Sequence, residues 1–382
     1  MKIALNALSA NAGGGLTYLI NLLPALDRVD KKNQYLVLVP EDCPIDFSQL
    51  SSRFQIIKIH LFYYSPICRG LYEQCMLPLL LKKHKIDILY SPADMTTLMA
   101  PCPVVLALRN PNLYTDMDLG WRGKYYLHFF LLKVIARLSI KKADRIIFVS
   151  RSSLSEICPK LGIDQEKTVV IHHGIGHYFS KSPPSMPPSG ISLPDRYILA
   201  VSTIYRYKNY LNLIKAYQLL ISRHPECYLP LLIAGGNADN CYYKDMINYI
   251  SGNGLNDKVI LLGNMDYPKM PEIYSRAALF VFPSCLETFG HPSLEALASS
   301  VPVAASDLPV MREVLKEAAV YFDPLDIEGI SSKMLVLLRN KKLCHDLCVK
   351  GKSRLEDFSW DKTALKTVRT FQAAVKDNTR LW

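Results

Sequence analysis

The sequence predicts an α/β protein built from two doubly wound, parallel-sheet domains that face a cleft. Three observations predict it. Short apolar runs of strand length alternate with amphipathic segments of helical period along most of the chain. The chain has 382 residues, more than a single core usually fills. A proline-rich stretch, KSPPSMPPSGISLP (Lys181–Pro194), interrupts the alternation once near the middle and reads as an extended linker. The expected boundaries are therefore 1–180, a linker over 181–194, and a second domain over 195–362.

In chain order, KIALNALSA reads as a strand, NAGGG as a turn and LTYLINLLPALDRV as a helix. Strands follow at QYLVLVP, FQIIKIH, DILYSP, VVLAL, RIIFVS and KTVVIHH, with helices at LYEQCMLPLLLKKHK and SSLSEICPKLG. Their apolar residues run on continuously, as in strands covered on both faces. After the linker the alternation restarts with strands RYILAVS, LPLLIAGG, KVILLG, LFVFPS, VPVAAS and AVYFDP. Helices separate them at NYLNLIKAYQLLISRH, YKDMINYISG, MPEIYSRA, PSLEALASS and PVMREVLKE, and further helices close the chain. In such open sheets, ligands bind outside the carboxyl ends of the strands.

Composition narrows the function classes. Hydrophobic residues make up 49% and charged residues 21%, a globular balance. Lys and Arg total 45 against 34 Asp and Glu, a formal charge of +11. That surplus favours anionic partners: phosphates, nucleic acid or an acidic membrane surface. The basic residues are dispersed and no nucleic-acid-binding module is legible, so nucleic acid is not expected. The start, MKIALNALSA, has no leader-like apolar block. The longest apolar candidate, YYLHFFLLKVIARL, is interrupted by His128, Lys133 and Arg137, too often for a membrane span. With ten scattered cysteines, this predicts reduced thiols and a cytoplasmic protein. Cys344, His345 and Cys348 read as a helix face, since no second ligand pair follows at a zinc spacing.

The chemistry-bearing stretch is FPSCLETFGHPSLEALASSVPVAASD (Phe282–Asp307). Glu287 and Glu295 flank a predicted strand-to-helix turn formed by Thr288, Phe289, Gly290 and His291, with Pro292 in the first helical turn. Free backbone N–H groups and the positive helix end suit a phosphate there. Carboxylates on either side suit sugar and ribose hydroxyls, so the pattern describes a nucleotide-sugar; two solvated glutamates at a helix start give the same spacing. Arg206 and Lys208 follow the first strand of the second domain, where two cations would neutralise a diphosphate, or sit in a solvated loop. Gly13, Gly14 and Gly15 form a turn that permits close backbone approach to a ligand, without being a GxGxxG or P-loop. Asp116 and Asp118 form an Asp-x-Asp pair that reads as a polar loop ahead of a metal site. His172 and His173 are open between hinge packing and the cleft.

Four segments together resemble glycosyltransferase family 4: ADRIIFVSRSSLSEICPKLGIDQEKTVVIHHGI, ILAVSTIYRYKNYLNLIKAYQLL, LLGNMDYPKMPEIYSRAALFVFPSCLETFGHPSLEALASSVPVAASDLPVMREV and the late FSW. The resemblance runs from about residue 140 to 362, plus the first glycine turn. It implies a GT-B fold of two Rossmann-like domains, with a final helix (363–382) crossing back to the first. It implies retaining transfer with no metal and no cofactor beyond a GDP- or UDP-sugar donor. On that reading Glu287 contacts the donor sugar and Glu295 the ribose. The amides around Phe289–His291, with Gly14 and Gly15, touch the diphosphate, as does Lys208, and Thr288 belongs to the same donor-binding turn. The chain departs from the pattern twice. Thr203 stands where many members carry a basic residue, which Arg206 would replace, and Arg109-Asn110 stands where many have His-Asp.

FGHPSLEALA looks most like members acting on bacterial surface polysaccharides such as O-antigen or capsule, with mannose the first guess for the sugar. The acceptor expected is a glycan or a polyprenyl-linked oligosaccharide. The protein is then expected to sit peripherally at the inner face of the cytoplasmic membrane. Trp121–Arg145 offers apolar and basic residues for that contact, or else forms a core helix with a basic side. The rival readings are a nucleotide-sugar epimerase of the same fold and a basic nucleic-acid-binding protein.

Overall fold

The computed structural model describes residues 1–10, 13–60, 66–118, 124–180 and 193–379. The chain divides into two compact units: Met1–Gly174 with Ser359–Trp382, and Ile175–Phe358.

The first unit runs β1 (Lys2–Asn6), α1 (Gly13–Val29), β2 (Gln34–Pro40), β3 (Phe54–Ile59), α2 (Pro66–Lys83), β4 (Ile88–Ser91), β5 (Val104–Leu108), α3 (Lys124–Lys142), β6 (Arg145–Phe148), α4 (Arg151–Leu161) and β7 (Thr168–Val170). All pairings are parallel, in the order β3-β2-β1-β4-β5-β6-β7. Alternation along each strand splits the core into two layers. Ile3, Leu5, Val37 and Tyr90 face α1, through Leu19, Leu22 and Leu26. Ala4, Leu36, Leu38 and Leu89 face the other way, onto Leu77 and Leu81 of α2. Local chemistry fixes the helix ends: Ser150 and Ser153 form a reciprocal capping box at α4, and Gly162 closes it with φ of 60°.

The second unit contains α5 (His177–Ser180), β8 (Tyr197–Val201), α6 (Tyr210–Arg223), β9 (Leu231–Ala234), α7 (Asn240–Gly252), β10 (Val259–Gly263), α8 (Met270–Ser275), β11 (Ala277–Phe282), α9 (His291–Ala298), β12 (Val303–Ser306), α10 (Pro309–Leu315), β13 (Ala319–Phe322), α11 (Ile327–Arg339) and α12 (Lys341–Leu355). Its sheet is also parallel, in the order β10-β9-β8-β11-β12-β13. The strand order reverses direction between β8 and β11, which creates the crevice where such sheets bind ligands.

The last helix, α13 (Trp360–Thr379), returns to the first unit and packs on its α1 side through Ala364, Phe371 and Ala374. The units change over at Gly174/Ile175 and Phe358/Ser359, not at the expected 180 and 362. Packing sets these points, not composition. A Cβ on Gly174 would lie 2.1 Å from the Trp360 nitrogen, so the two passing segments touch backbone to backbone. His173 stacks on the Trp360 ring at 5.5 Å and meets Tyr18 at 5.1 Å, which settles it as packing within the first unit. Of the proline-rich segment, residues 181–192 lie outside the described residues. Cys344 and Cys348 donate to the carbonyls of Leu337 and Ser300. Among the described residues no three His, Cys, Asp or Glu side chains are grouped to hold a metal.

Candidate active site

The site in the second unit grows from the neighbouring carboxyl ends of β8 and β11. After β8 the chain makes a tight 3-10 turn, Arg206–Lys208, and Asn209 starts α6 in the left-handed region at φ of 61°. The Asn209 amide holds that conformation by donating to the Pro324 carbonyl at 2.6 Å. After β11 the Cys285 N–H donates to the Tyr207 carbonyl at 2.8 Å, which locks the two loops together.

That lock brings Lys208 Nζ to 2.5 Å from Glu287 Oε1. Both side chains are nearly buried, 11% and 8% exposed. The ammonium also lies 5.0 Å from the Tyr207 ring and 5.7 Å from the Phe282 ring. Aromatic walls exclude water, so the attraction is strong and so is the cost of desolvating both charges. The sequence placed each residue just after a strand without showing that the strands adjoin, and the structure joins the two as an ion pair.

Gly290 precedes α9 with φ of 80° and ψ of 47°. A Cβ there would lie 2.2 Å from Cε of buried Met311, a flexible side-chain end that would have to shift, so the positive φ is what favours glycine and the contact adds to it. The turn aims the first amides of α9 outward from the helix, beginning at His291. Thr288 and Phe289 are buried, and Phe289 meets the Phe358 ring edge-on at 5.8 Å. Glu295 sits one turn into α9, buried, with Oε2 accepting from the Tyr274 hydroxyl at 2.9 Å and Oε1 lying 3.2 Å from His291 Nδ1. Burial, and then the Glu295 charge, push the Tyr274 hydroxyl well above its usual range, so it stays a donor. Arg206 takes a different direction. Its guanidinium pairs with Asp245 of α7 at 3.2 Å and lies 5.2 Å from the Tyr242 ring, half-exposed.

In the first unit Gly14 and Gly15 open α1. A Cβ on Gly15 would touch Ala10 Cα at 3.4 Å, whereas Gly14 has open space around it. The Gly14 carbonyl accepts from Arg109 Nη2 at 2.7 Å, and Arg109 Nη1 donates to the Pro92 carbonyl at 3.3 Å. The guanidinium also stacks 4.0 Å from the Tyr18 ring centroid. Arg109 therefore clasps the first turn of α1, where the three glycines form part of the helix and not the separate turn expected ahead of it.

Asp94 was not legible as a site residue. It is buried at φ of 65° and accepts from the Arg109 N–H at 2.8 Å, the Asn110 N–H at 3.1 Å and the Tyr114 hydroxyl at 3.0 Å. Burial outweighs these bonds and pushes its carboxyl up to about 6. The available signal was an acid shortly after a strand end, in SPADM. Glu73 is likewise buried on α2, accepts from Asn6 at 3.1 Å, and is shifted upward by desolvation. Asp116 lies 3.5 Å from Lys160 on the surface and Asp118 is exposed.

A family model described as Glycosyltransferase Family 4 matches residues 12–177, and one described as Glycosyl transferases group 1 matches residues 182–354. The chain belongs to the family 4 glycosyltransferases. The chain is 30% identical over 225 residues to the O-antigen chain mannosyltransferase RfbU of Salmonella typhimurium, covering 57% of this chain and 58% of that one. It is 28% identical over 239 residues to the O-antigen chain mannosyltransferase B of Escherichia coli, covering 61% and 62%. The chain thus aligns with about six tenths of the length of these relatives. Among solved structures, sucrose-phosphate synthase of Thermosynechococcus elongatus superposes with a TM-score of 0.76 at 17% identity, covering 98% of each chain. HepE of Anabaena, determined with UDP and glucose, gives 0.71 at 16% identity over 98% of this chain and all of that one. These likenesses place the chain in the GT-B fold class, with two Rossmann-like units.

Proposed function

We propose that this transferase moves a hexose from a nucleoside diphosphate sugar to a glycan or polyprenyl-linked oligosaccharide, with retention of configuration and without a metal. One observation carries the reading: the buried Lys208–Glu287 pair stands beside the glycine-led start of α9. In that arrangement Lys208 and the α9 amides receive the diphosphate, while Glu287, released from Lys208, accepts hydroxyls of the sugar. Glu295, already oriented by Tyr274 and His291, offers its remaining acceptor capacity to the ribose. Charge preorganised on the leaving diphosphate can supply several kcal/mol of transition-state stabilisation, roughly 3–4 per donor. The acceptor hydroxyl attacks from the face that the diphosphate leaves, so no enzyme nucleophile is required.

Mannose is the first choice of sugar, supported by the two relatives named as O-antigen mannosyltransferases. Surface polysaccharide assembly is the corresponding setting, with the protein in the cytoplasm and peripheral at the inner face of the cytoplasmic membrane. The purified chain, given GDP-mannose, UDP-glucose or UDP-galactose and a lipid-linked glycan extract, should release one nucleoside diphosphate in step with glycan extension. An α-linked product and undiminished turnover in EDTA are expected. Release without acceptor extension, or a freed epimeric nucleotide-sugar, would overturn the transferase reading; arrest by EDTA together with arrest in Asp116→Ala would overturn the metal-free one.

A further inference from the structure

Helix α3 is apolar on two opposite faces. One face is core: Ala136 and Ile140 are buried against Leu106, Leu108 and Phe148. On the other face, Tyr126, Phe130, Val134 and Leu138 follow at steps of four, with Leu127 and Leu131 beside them. These six side chains are 37–63% exposed, a continuous apolar stripe rather than scattered surface residues. Arg137 and Lys141 are exposed toward the end of the same face, and the helix carries no acid.

The stripe has a neighbour. Leu89 and Val104 are register partners, and Leu106 and Leu108 follow Val104 at steps of two, so α2 and α3 cover the same sheet face. The segment between them is bonded to both helices. Gln74 of α2 donates to the Thr96 carbonyl at 3.1 Å and accepts from the Leu98 N–H at 3.0 Å, while Ser139 of α3 accepts from the Thr96 N–H at 3.0 Å. From this junction Met99 is 65% exposed, and Leu71 and Leu79 of α2 are 61% and 62% exposed.

We infer that this face of the first unit is a membrane-docking surface, in which the α3 stripe enters the interface of an anionic bilayer. The inference deepens the proposed function, because it names the surface that meets the membrane. Charge selects the occupant. The two helices carry three basic residues on α2 and five on α3 against one acid, Glu73, which is buried. A second copy of the chain on this face would set Arg137 and Lys141 against their own kind with no acid to meet them. Anionic headgroups meet those cations while the acyl boundary takes the apolar side chains. Among the described residues no helix is long and apolar enough to cross a membrane, so the contact is interfacial.

Flotation of the purified full chain tests this with vesicles of phosphatidylglycerol in phosphatidylcholine, and with phosphatidylcholine alone. The wild type should float with the anionic vesicles. Phe130→Asp/Leu131→Asp should lower the partition coefficient by about tenfold or more at any salt. Arg137→Glu/Lys141→Glu should lower it mainly at low salt. Thermal melting checks that each variant folds, and all four positions are exposed. Failure of the wild type to bind anionic vesicles overturns the inference, as does unchanged binding by Phe130→Asp/Leu131→Asp. So does sedimentation showing a dimer that this variant dissociates without vesicle binding. The melting shift produced by UDP or GDP is read on the same samples. Its absence in the wild type counts against the proposed function and leaves the flotation result standing, whereas its presence without flotation counts only against the docking surface.

Discussion

Replacing Glu287 by Ala should separate stability from chemistry in a way that tests the ion pair directly. The carboxylate is 8% exposed and its partner Lys208 is 11% exposed, with 2.5 Å between them. Removing one member of a buried pair leaves the other charge without compensation, which costs about 3–5 kcal/mol. The aromatic faces of Tyr207 and Phe282 recover part of that for the ammonium, on the order of 1 kcal/mol. A net loss near 3 kcal/mol should lower the Tm of a unit this size by roughly 6–12 °C. The doubly substituted Glu287→Gln/Lys208→Met chain removes both charges and should regain most of that loss, while transfer stays lost in both. Nucleoside diphosphate should rescue the single variant more than the wild type, because Lys208 no longer has to leave a carboxylate. Saturating ligand at about 100 times Kd adds roughly 2.7 kcal/mol by mass action. Differential scanning fluorimetry with and without UDP and GDP, alongside nucleotide-release kinetics, reads all four quantities. Unchanged Tm in Glu287→Ala, or strictly additive losses in the double variant, would show that the pair does not exist in solution. Retained kcat/KM in folded Glu287→Ala would refute its role at the donor.

Lys208→Ala should weaken binding of the nucleoside diphosphate by about 1.5–3 kcal/mol relative to the nucleoside, as loss of a charge-assisted contact predicts; equal loss for both ligands in calorimetry would place the lysine elsewhere. Gly290→Ala should destabilise the second unit by about 1–3 kcal/mol through its positive φ and the Met311 contact, and Met311→Ala should restore only the contact's share in thermal unfolding. Burial raises the Asp94 carboxyl from 3.8 to about 6, so the folded chain holds this proton more tightly and its contribution weakens as pH rises from 4 through 6. Stability of the wild type relative to Asp94→Asn should therefore increase by roughly 2–2.5 kcal/mol as pH falls from 7 to 4, since each tenfold gain in proton affinity is worth about 1.4 kcal/mol and the unfolded carboxyl is itself partly protonated at pH 4; a pH-independent difference in urea unfolding would contradict this.

The strands were legible because a strand covered on both faces is apolar throughout, and each predicted run overlaps one of the thirteen strands among the described residues, though β11 begins two residues before the predicted LFVFPS. The short helix α5 was not, since four residues carry no period. Gly290 and the start of α9 could be read because a helix end is local chemistry: proline in the first turn, glycine before it, carboxylates nearby. The pairing of Lys208 with Glu287 could not, because it spans 79 positions and depends on β8 and β11 being neighbours. Asp94 was missed for the same reason, as its meaning lies in the backbone of Arg109 and Asn110 across the strand ends.

Helix α3 shows where pattern reading fails in principle. Hydrophobic periodicity identifies a buried face by contrast with a polar one, and a helix apolar on both sides offers no contrast. The sequence therefore left two readings of Trp121–Arg145 open, core helix or interfacial helix, of which residues 121–123 lie outside the described residues. The packing of Ala136 and Ile140 answers the first reading, and the exposure of Tyr126, Phe130 and Leu131 on the far side leaves the second to the flotation test. The two readings were never exclusive: a sheet needs one face of its covering helix, and the other remains available to bind.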